Sequence, residues 1–331
     1  MRAVANGAEK LNKTSAKSIY GDYLLMLLAP CFMAYWYYGA RSLLVVLAGV
    51  ASAVITDILA GIIVNRKIDI GDLGSIFTGA AIAMMMPVNV PFYVPALASL
   101  FAVAVVKIPF GGSLKVPFVP AAAGFAFASV CFEDQVFSFS EGVRGSLFGA
   151  TSLGSLLLNG RAVYVGEASI YDILGGNVAG PMGTGCALLM VACAVYLLIR
   201  RPKALVSSAG FIAVCVLMVA LFPRVTASFR TNLIPELCSG SLLFAAVFFV
   251  TDPVTQPEKI INKIVYGAVC GAVCMAMRLL GAYEEPVCFA VLVANALRPL
   301  LDSALNNIPK FGKKSSLKGK NKPSRKEVSA E

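Results

Sequence analysis

Long apolar stretches alternate along this chain with short polar or Pro/Gly-bearing breaks, and the pattern predicts membrane-spanning helices. Ten apolar segments are read from it: 22–39, 42–64, 73–87, 91–108, 117–132, 184–199, 204–222, 237–251, 261–281 and 286–302. Several approach the ~20 residues that carry a helix across the ~30 Å hydrocarbon layer. Others are short and end on Pro or Gly. In such spans non-helical backbone enters the membrane, which is tolerated only where it is buried in protein or lines a cavity. The expected fold is an all-α polytopic membrane protein of about ten transmembrane helices.

The pattern also repeats. Pro87-Val88-Asn89-Val90-Pro91 follows one apolar segment, and Pro253-Val254-Thr255-Gln256-Pro257 follows another 166 residues on, from 87 to 253. Upstream of each, Ser75-Ile76-Phe77-Thr78-Gly79-Ala80-Ala81 has a counterpart in Ser241-Leu242-Leu243-Phe244-Ala245-Ala246; downstream, Gly112 and Pro117 match Gly281 and Pro286. Two copies of a five-helix unit account for this, and because five is odd the second copy runs through the membrane the opposite way. Chance similarity between apolar low-complexity stretches is the alternative. The duplication divides the chain into an N-terminal segment (1–21), a first repeat (22–132), a central loop (133–183), a second repeat (184–302) and a basic tail (303–331).

Composition sharpens the class. Of 331 residues, 58% are apolar and only 14% charged, which overrules a two-domain soluble reading of the length. The basic start is followed by a full span with no small-residue cleavage site, so 23–38 reads as a retained first helix and not a signal peptide. The net charge of +10 is mostly topological. With the N-terminus in the cytoplasm, the inner loops hold Arg66, Lys67, Lys107, Lys115, Arg200, Arg201, Lys203, Lys259 and Lys263, and the tail adds many more. The outer loops then hold Arg41, Arg144, Arg161, Arg224 and Arg230, with Arg278 near an outer helix end and Glu284 and Glu285 in an acidic outer turn. Both termini are expected in the cytoplasm of a prokaryotic cell, the central loop outside its plasma membrane. The basic tail reads as a solvated cytoplasmic tail and not as a nucleic-acid-binding arm.

The chain has no His, and its nine Cys form no CxxC pair; most lie in apolar runs, where Cys behaves as a small hydrophobe. Cys270 and Cys274 share a helix face, which leaves plain packing or an intersubunit iron–sulfur ligand pair. No catalytic dyad or Walker motif is present, so the chain is not expected to catalyse alone. What remains is ionisable groups in or beside the membrane, where an unpaired carboxylate costs several kcal/mol. Asp57 lies inside the second span, Asp252 ends the eighth and Asp302 the tenth; all three are candidates for an ion path. Asp72 reads as a helix start. Arg278 and Arg298 are candidate counter-charges or phosphate binders, or they snorkel to an interface. In the central loop, Gly149-Ala150-Thr151 presents a modifiable hydroxyl among small residues.

Several strings carry a family resemblance: Asp72-x5-Thr78-Gly79 with Pro87-x3-Pro91, Phe110-Gly111-Gly112, Pro117-Phe118-x-Pro120-Ala121, Thr251-Asp252-Pro253-Val254-Thr255, Arg278-Leu279-x-Gly281-x-Tyr283, and Asn295-x3-Pro299-Leu300-x-Asp302. Over 23–302 the chain resembles the RnfD/NqrB family, RnfD more closely, the membrane flavoprotein subunits of ion-translocating electron-transport complexes. The resemblance implies ten helices in two inverted halves. It also implies an FMN joined by a phosphoester to Thr151, set up by Gly149 and Ala150 and attached by a flavin transferase, with riboflavin also associated with some members. Phe148 stands where the family usually has Ser or Thr, and Ser152 where Pro is common. By the same resemblance Asp252 and Asp302 match acidic positions of cation uptake, and the complex couples electron transfer between ferredoxin and NAD to Na⁺ or H⁺ movement, the ferredoxin and NAD chemistry belonging to partner subunits. The expected function is thus that of one subunit within an ion-translocating oxidoreductase. The alternatives are a flavin-bearing component of an extracytosolic electron-export chain without pumping, or a flavin-free inverted-repeat transporter or channel.

Overall fold

A computed structural model describes residues 2–63, 72–140, 151–152, 170–176, 178–223, 229–281 and 285–306. The first repeat opens with two long helices, α1 (Arg2–Tyr38) and α2 (Ala40–Ile63), separated by Gly39. Gly39 takes the left-handed conformation, φ 76°, which lets the chain reverse between them at little cost. A short α3 (Leu73–Met84) follows, then α4 (Tyr93–Phe101), which continues as a π-helical turn (Ala102–Lys107), and α5 (Pro120–Cys131). The small helices α6 (Glu133–Val136) and α7 (Ile170–Gly175) belong to the central segment. The second half runs through α8 (Ala187–Arg200), α9 (Pro202–Leu221), then α10 (Phe229–Cys238) and a short α11 (Leu242–Phe248), followed by α12 (Ile260–Leu279) and α13 (Val287–Asn306).

The molecule is an all-α polytopic membrane protein. Among the described residues, five helical stretches are long and apolar enough to cross a bilayer, namely Lys17–Tyr38, Ala40–Ile63, Pro202–Leu221, Ile260–Leu279 and Val287–Leu305. Four more apolar helices are shorter: Leu73–Met84, Tyr93–Lys107, Pro120–Cys131 and Ala187–Arg200. At 1.5 Å per residue a twelve-residue helix such as α3 covers ~18 Å, well short of the hydrocarbon layer. Its remaining depth is filled by the non-helical run after it, where Met85, Met86, Val88 and Val90 are all buried in protein. The expected eighth span, 237–251, is not one helix. Ser239 to Ser241 break it, with Gly240 at φ 60°, and only α11 continues beyond.

Small residues set the closest crossings. A Cβ on Gly79 of α3 would stand 2.5 Å from the Gly49 carbonyl oxygen of α2, and a Cβ on Gly49 would stand 2.7 Å from that of Gly79. Gly210 of α9 meets Ile264 of α12, and Gly267 of α12 meets Ser207 of α9, in the same backbone-to-backbone manner. Such contacts drive helix association in lipid, where hydrophobic burial between helices supplies little. The lipid-facing surface is apolar, with Leu28, Phe32, Leu47, Ile62, Ile63, Val191, Ile199 and Leu221 exposed.

Candidate functional site

Three polar groupings are built into this apolar frame. The first lies where α2, the start of α3 and the π-turn meet. Asp72 caps α3, accepting from the Gly74 amide at 3.0 Å, as its position before an apolar helix predicts. It does more than cap: the Ser113 hydroxyl donates to it at 2.8 Å and the Lys107 ammonium lies 2.7 Å away. Lys107 also donates to Asp57 at 3.0 Å and to the Ser75 hydroxyl, while Ser75 donates to Asp57 at 2.9 Å. Lys107 is 2% exposed, so its assignment to a solvated inner loop is corrected. The π-turn, a local widening frequent at functional sites, ends on Lys107 and turns through Gly111 and Gly112, φ 102° and 101°. Asp57 is thus half of an ion-paired cluster that hydropathy alone does not reveal.

The second grouping joins Asp252 and Asp302. Asp252 is buried and accepts from the Thr255 hydroxyl at 3.0 Å and its amide at 3.3 Å. Arg298 of α13 donates to the Val254 and Thr255 carbonyls at 3.0 and 2.9 Å, and stands 3.6 Å from Asp302 one helical turn on. Asp302 also accepts from the Asn262 amide of α12. Arg298, one of the candidate counter-charges, clamps the Val254–Thr255 backbone and pairs with Asp302. It thus pairs with Asp302 and also holds the backbone of the turn that Asp252 opens, while Asp57 sits in the other cluster.

Helix α1 connects the two groupings. Tyr20 donates to the Ser113 carbonyl at 2.9 Å, beside Asp72, and Tyr23 donates to the Thr251 carbonyl at 2.7 Å, beside Asp252. Their rings pack on Phe77 of α3, which packs on Phe248 of α11.

The third grouping is at α12's C-terminal end. Arg278, 4% exposed, donates to the Glu236 and Ser239 carbonyls and the Ser239 hydroxyl at 2.8 to 3.0 Å, with the Glu236 carboxylate 3.7 Å away. Glu285 accepts from the Ser241 amide at 2.8 Å and from its hydroxyl. Of the readings open for Arg278, snorkelling is corrected: Arg278 and Glu285 are both folded inward, where they bond backbone groups at the break in the helix. Ser75 and Ser241, 166 residues apart, lie near the starts of the two short helices and meet a carboxylate in both halves.

The central segment is anchored on α3. The Met182 and Gly183 amides donate to the Met86 and Met84 carbonyls at 3.0 and 2.7 Å, and Tyr37 donates to the Gly175 carbonyl at 2.7 Å. Ser152 forms a parallel bridge with Ala179, which holds the adjacent Thr151 half-buried at this anchored strand. Gly149 and Ala150 lie outside the described residues, as do Arg66, Lys67 and the tail from 307. Cys270 and Cys274 are buried in α12, and among the described residues no three His, Cys, Asp or Glu gather as metal ligands.

A family model for the NQR2, RnfD, RnfE family matches residues 6–309. The chain belongs to that family. Within it, the chain is similar to the D component of the proton-translocating ferredoxin:NAD(+) oxidoreductase complex of Clostridium ljungdahlii, 28% identical over 313 residues, covering 90% of this chain and 92% of the relative. It is 26% identical over 291 residues to the D component of the Na(+)-translocating ferredoxin:NAD(+) oxidoreductase complex of Acetobacterium woodii, covering 88% and 89%. The D component of the ion-translocating oxidoreductase complex of Escherichia coli is 27% identical over 309 residues, covering 81% and 86%. The ten apolar segments and all three polar groupings of this NQR2/RnfD/RnfE chain fall inside the matched region.

Among the members of these groupings, Ser113, Glu236, Ser239 and Asn262 are not singled out from the sequence, and Lys107 and Glu285 read there only as loop charges. A signal for Lys107 exists: it is the one charge inside the apolar run 91–108, four residues before the Gly111-Gly112 turn.

Proposed function

We propose that this chain is the D-type membrane component of an ion-translocating ferredoxin:NAD(+) oxidoreductase complex. It carries electrons between partner subunits while a sodium ion or proton crosses the plasma membrane of a prokaryote. The observation that carries this reading is the extent of the likeness: relatives named as the D component of such complexes align over 81% to 90% of the chain.

In this reading FMN is esterified to Thr151 by a flavin transferase, with Gly149 and Ala150 leading into the site, and riboflavin is a second candidate cofactor. The described residues fit a bulky esterified group. Thr151 is only half-buried, and no described residue comes within 4 Å of a Cβ built on Gly180, one residue beyond Ser152's bridge partner. A bound flavin supplies electron-carrying capacity that no side chain here has. The chain's own contribution is to tether it at Thr151 and to hold that strand, through Ala179 and the Met182–Gly183 backbone, on the end of α3. The basic residues of the inner loops and tail support cytoplasmic termini and an external central segment. The halves are read as inverted repeats, with Asp57, Asp252 and Asp302 along the ion path.

The test is expression with the cognate flavin transferase, wild type beside Thr151→Ala. Flavin fluorescence that survives denaturing electrophoresis, and a peptide mass for FMN on Thr151, are expected for wild type and absent from the variant. FMN retained covalently on Thr151→Ala would sink the assignment.

A further inference from the structure

The Lys107 cluster has a geometry that electron carriage does not require. Three oxygens from two helices converge on one ammonium: the Asp57 carboxylate of α2 at 3.0 Å, the Asp72 carboxylate at the cap of α3 at 2.7 Å, and the Ser75 hydroxyl in α3's first turn. Ser113 and the Gly74 amide hold Asp72 in place, and Tyr20 of α1 donates to the carbonyl of Ser113. Tyr20, Ser75, Ser113 and Thr78, whose hydroxyl is turned to the Gly74 carbonyl, are neutral donors. Among the described residues in contact here, two carboxylates stand against one ammonium. Lys107 is 2% exposed, while the Asp57 and Asp72 side chains are 24% and 27% exposed, so the ammonium is sealed and its two carboxylate partners lie partly at the surface.

This is a cation site by what already fills it. Its ligands are all oxygen, the donor set of hard cations. Its occupant is a compact point charge on a flexible four-carbon stem, a group that can withdraw without breaking the fold. The third grouping supplies the contrast. At the corresponding end of the second half the cation is Arg278, whose fork is fixed by three hydrogen bonds to the backbone and side chains of Glu236 and Ser239. A guanidinium so held is a structural clamp. The bonds of Lys107 run to side chains: it donates to Asp57 and Ser75, beside its ion pair with Asp72. The π-turn that carries it places the ammonium at the end of a segment already off regular α-helical geometry.

We infer that Asp57, Asp72 and Ser75 form a monovalent-cation site filled in this structure by the protein's own Lys107, and that a sodium ion or a proton takes the site when the ammonium withdraws. The inference rests on the ion-coupled reading above and names a loading site for it, with Lys107 as the displaceable counter-charge.

The experiment removes the tethered cation and asks whether a free one replaces it. Wild type and Lys107→Met are purified in detergent, and thermal unfolding is followed in NaCl against choline chloride at equal ionic strength, from mildly acidic to mildly alkaline pH. Lys107→Met is expected to gain a sodium-dependent rise in melting temperature of about 3 °C or more that wild type lacks. If the occupant is the proton, the variant instead stabilises on acidification with no sodium effect. A variant insensitive to both overturns the inference. So does a response that persists when Asp57→Asn and Asp72→Asn are added, because no site then remains. Should Lys107→Met fail to accumulate, Lys107→Met/Asp72→Asn keeps Asp57 and Ser75, relieves the carboxylate repulsion, and is read in the same conditions with the same expectations. No flavin or electron transfer enters this measurement, so loss of the Thr151 assignment and loss of the cation site are distinguishable.

Discussion

Arg278 shows how far a single residue's role departs from its composition class. In a hydropathy plot it is a charge near a helix end, and such side chains ordinarily snorkel. Here it is buried and satisfies the carbonyls left open where 237–251 breaks, with Glu236 and Glu285 close by. Removing one partner of a buried charge network leaves the others uncompensated, at ~3–5 kcal/mol. Arg278→Met is therefore expected to lose that much in thermal or denaturant unfolding of the purified protein. Glu285→Gln in the same chain should recover part of the loss by removing one of the stranded charges. An Arg278→Met protein as stable as wild type would mean that the break is held by something else. Thr151 is the converse case. Its residue type and small neighbours raised it as a candidate, but what positions it is the Ser152–Ala179 bridge and the Gly183 contact with Met84, and neither could be read from local sequence.

At the scale of elements, the two short helices are the distinctive feature. α3 and α11 are too short to cross the membrane, and each has a serine bonded to a carboxylate near its start, Ser75 in the first turn of α3 and Ser241 at the cap of α11. Their placement depends on glycine crossings. At Gly79 a side chain would press on the α2 backbone at Gly49, where nothing flexible can yield. Gly79→Val is expected to cost ~1–3 kcal/mol or more by overpacking, seen as a lowered melting temperature or reduced accumulation in the membrane. Gly112→Ala tests a different property. A Cβ there meets nothing within 4 Å, but φ is 101°, so a smaller loss from backbone strain alone, on the order of 1–3 kcal/mol, is expected in the same assay. Asp72 was legible as a cap because capping is local chemistry. Its ion pair with Lys107 was not, because thirty-five positions of chain, 72 to 107, must fold before the two meet.

At the scale of the whole molecule, α1 and the contacts between halves make one unit of two similar sets of helices. Tyr23 reaches from α1 to the Thr251 carbonyl in the second half, and Cys288 of α13 lies against Met85 of the first. Tyr23→Phe removes the hydrogen bond and keeps the ring packing on Phe77 and Phe248, so a loss of ~0.5–1.5 kcal/mol is expected in the unfolding of the purified protein. A much larger loss would show that the hydroxyl does more than join the halves.

The sequence by itself determined the class, the positions of most of the apolar helices and the family; it missed that the first helix begins at Arg2 rather than near 22. What it determined follows from hydropathy, breaker residues and motif spacing, which are properties of neighbours along the chain. It also singled out Asp57, Asp252 and Asp302, because a carboxylate in an apolar run stands out wherever it lies. Only the tertiary structure decided how those carboxylates are grouped: Asp302 on an arginine that also clamps the turn opened by Asp252, Asp57 with Asp72 on a sealed lysine. It likewise decided that the eighth segment is broken, with Arg278 and Glu285 turned inward. The physical reason is the same in each case. A buried charge in lipid must find its partner, and that partner lies on another helix, at a sequence distance that no local pattern encodes.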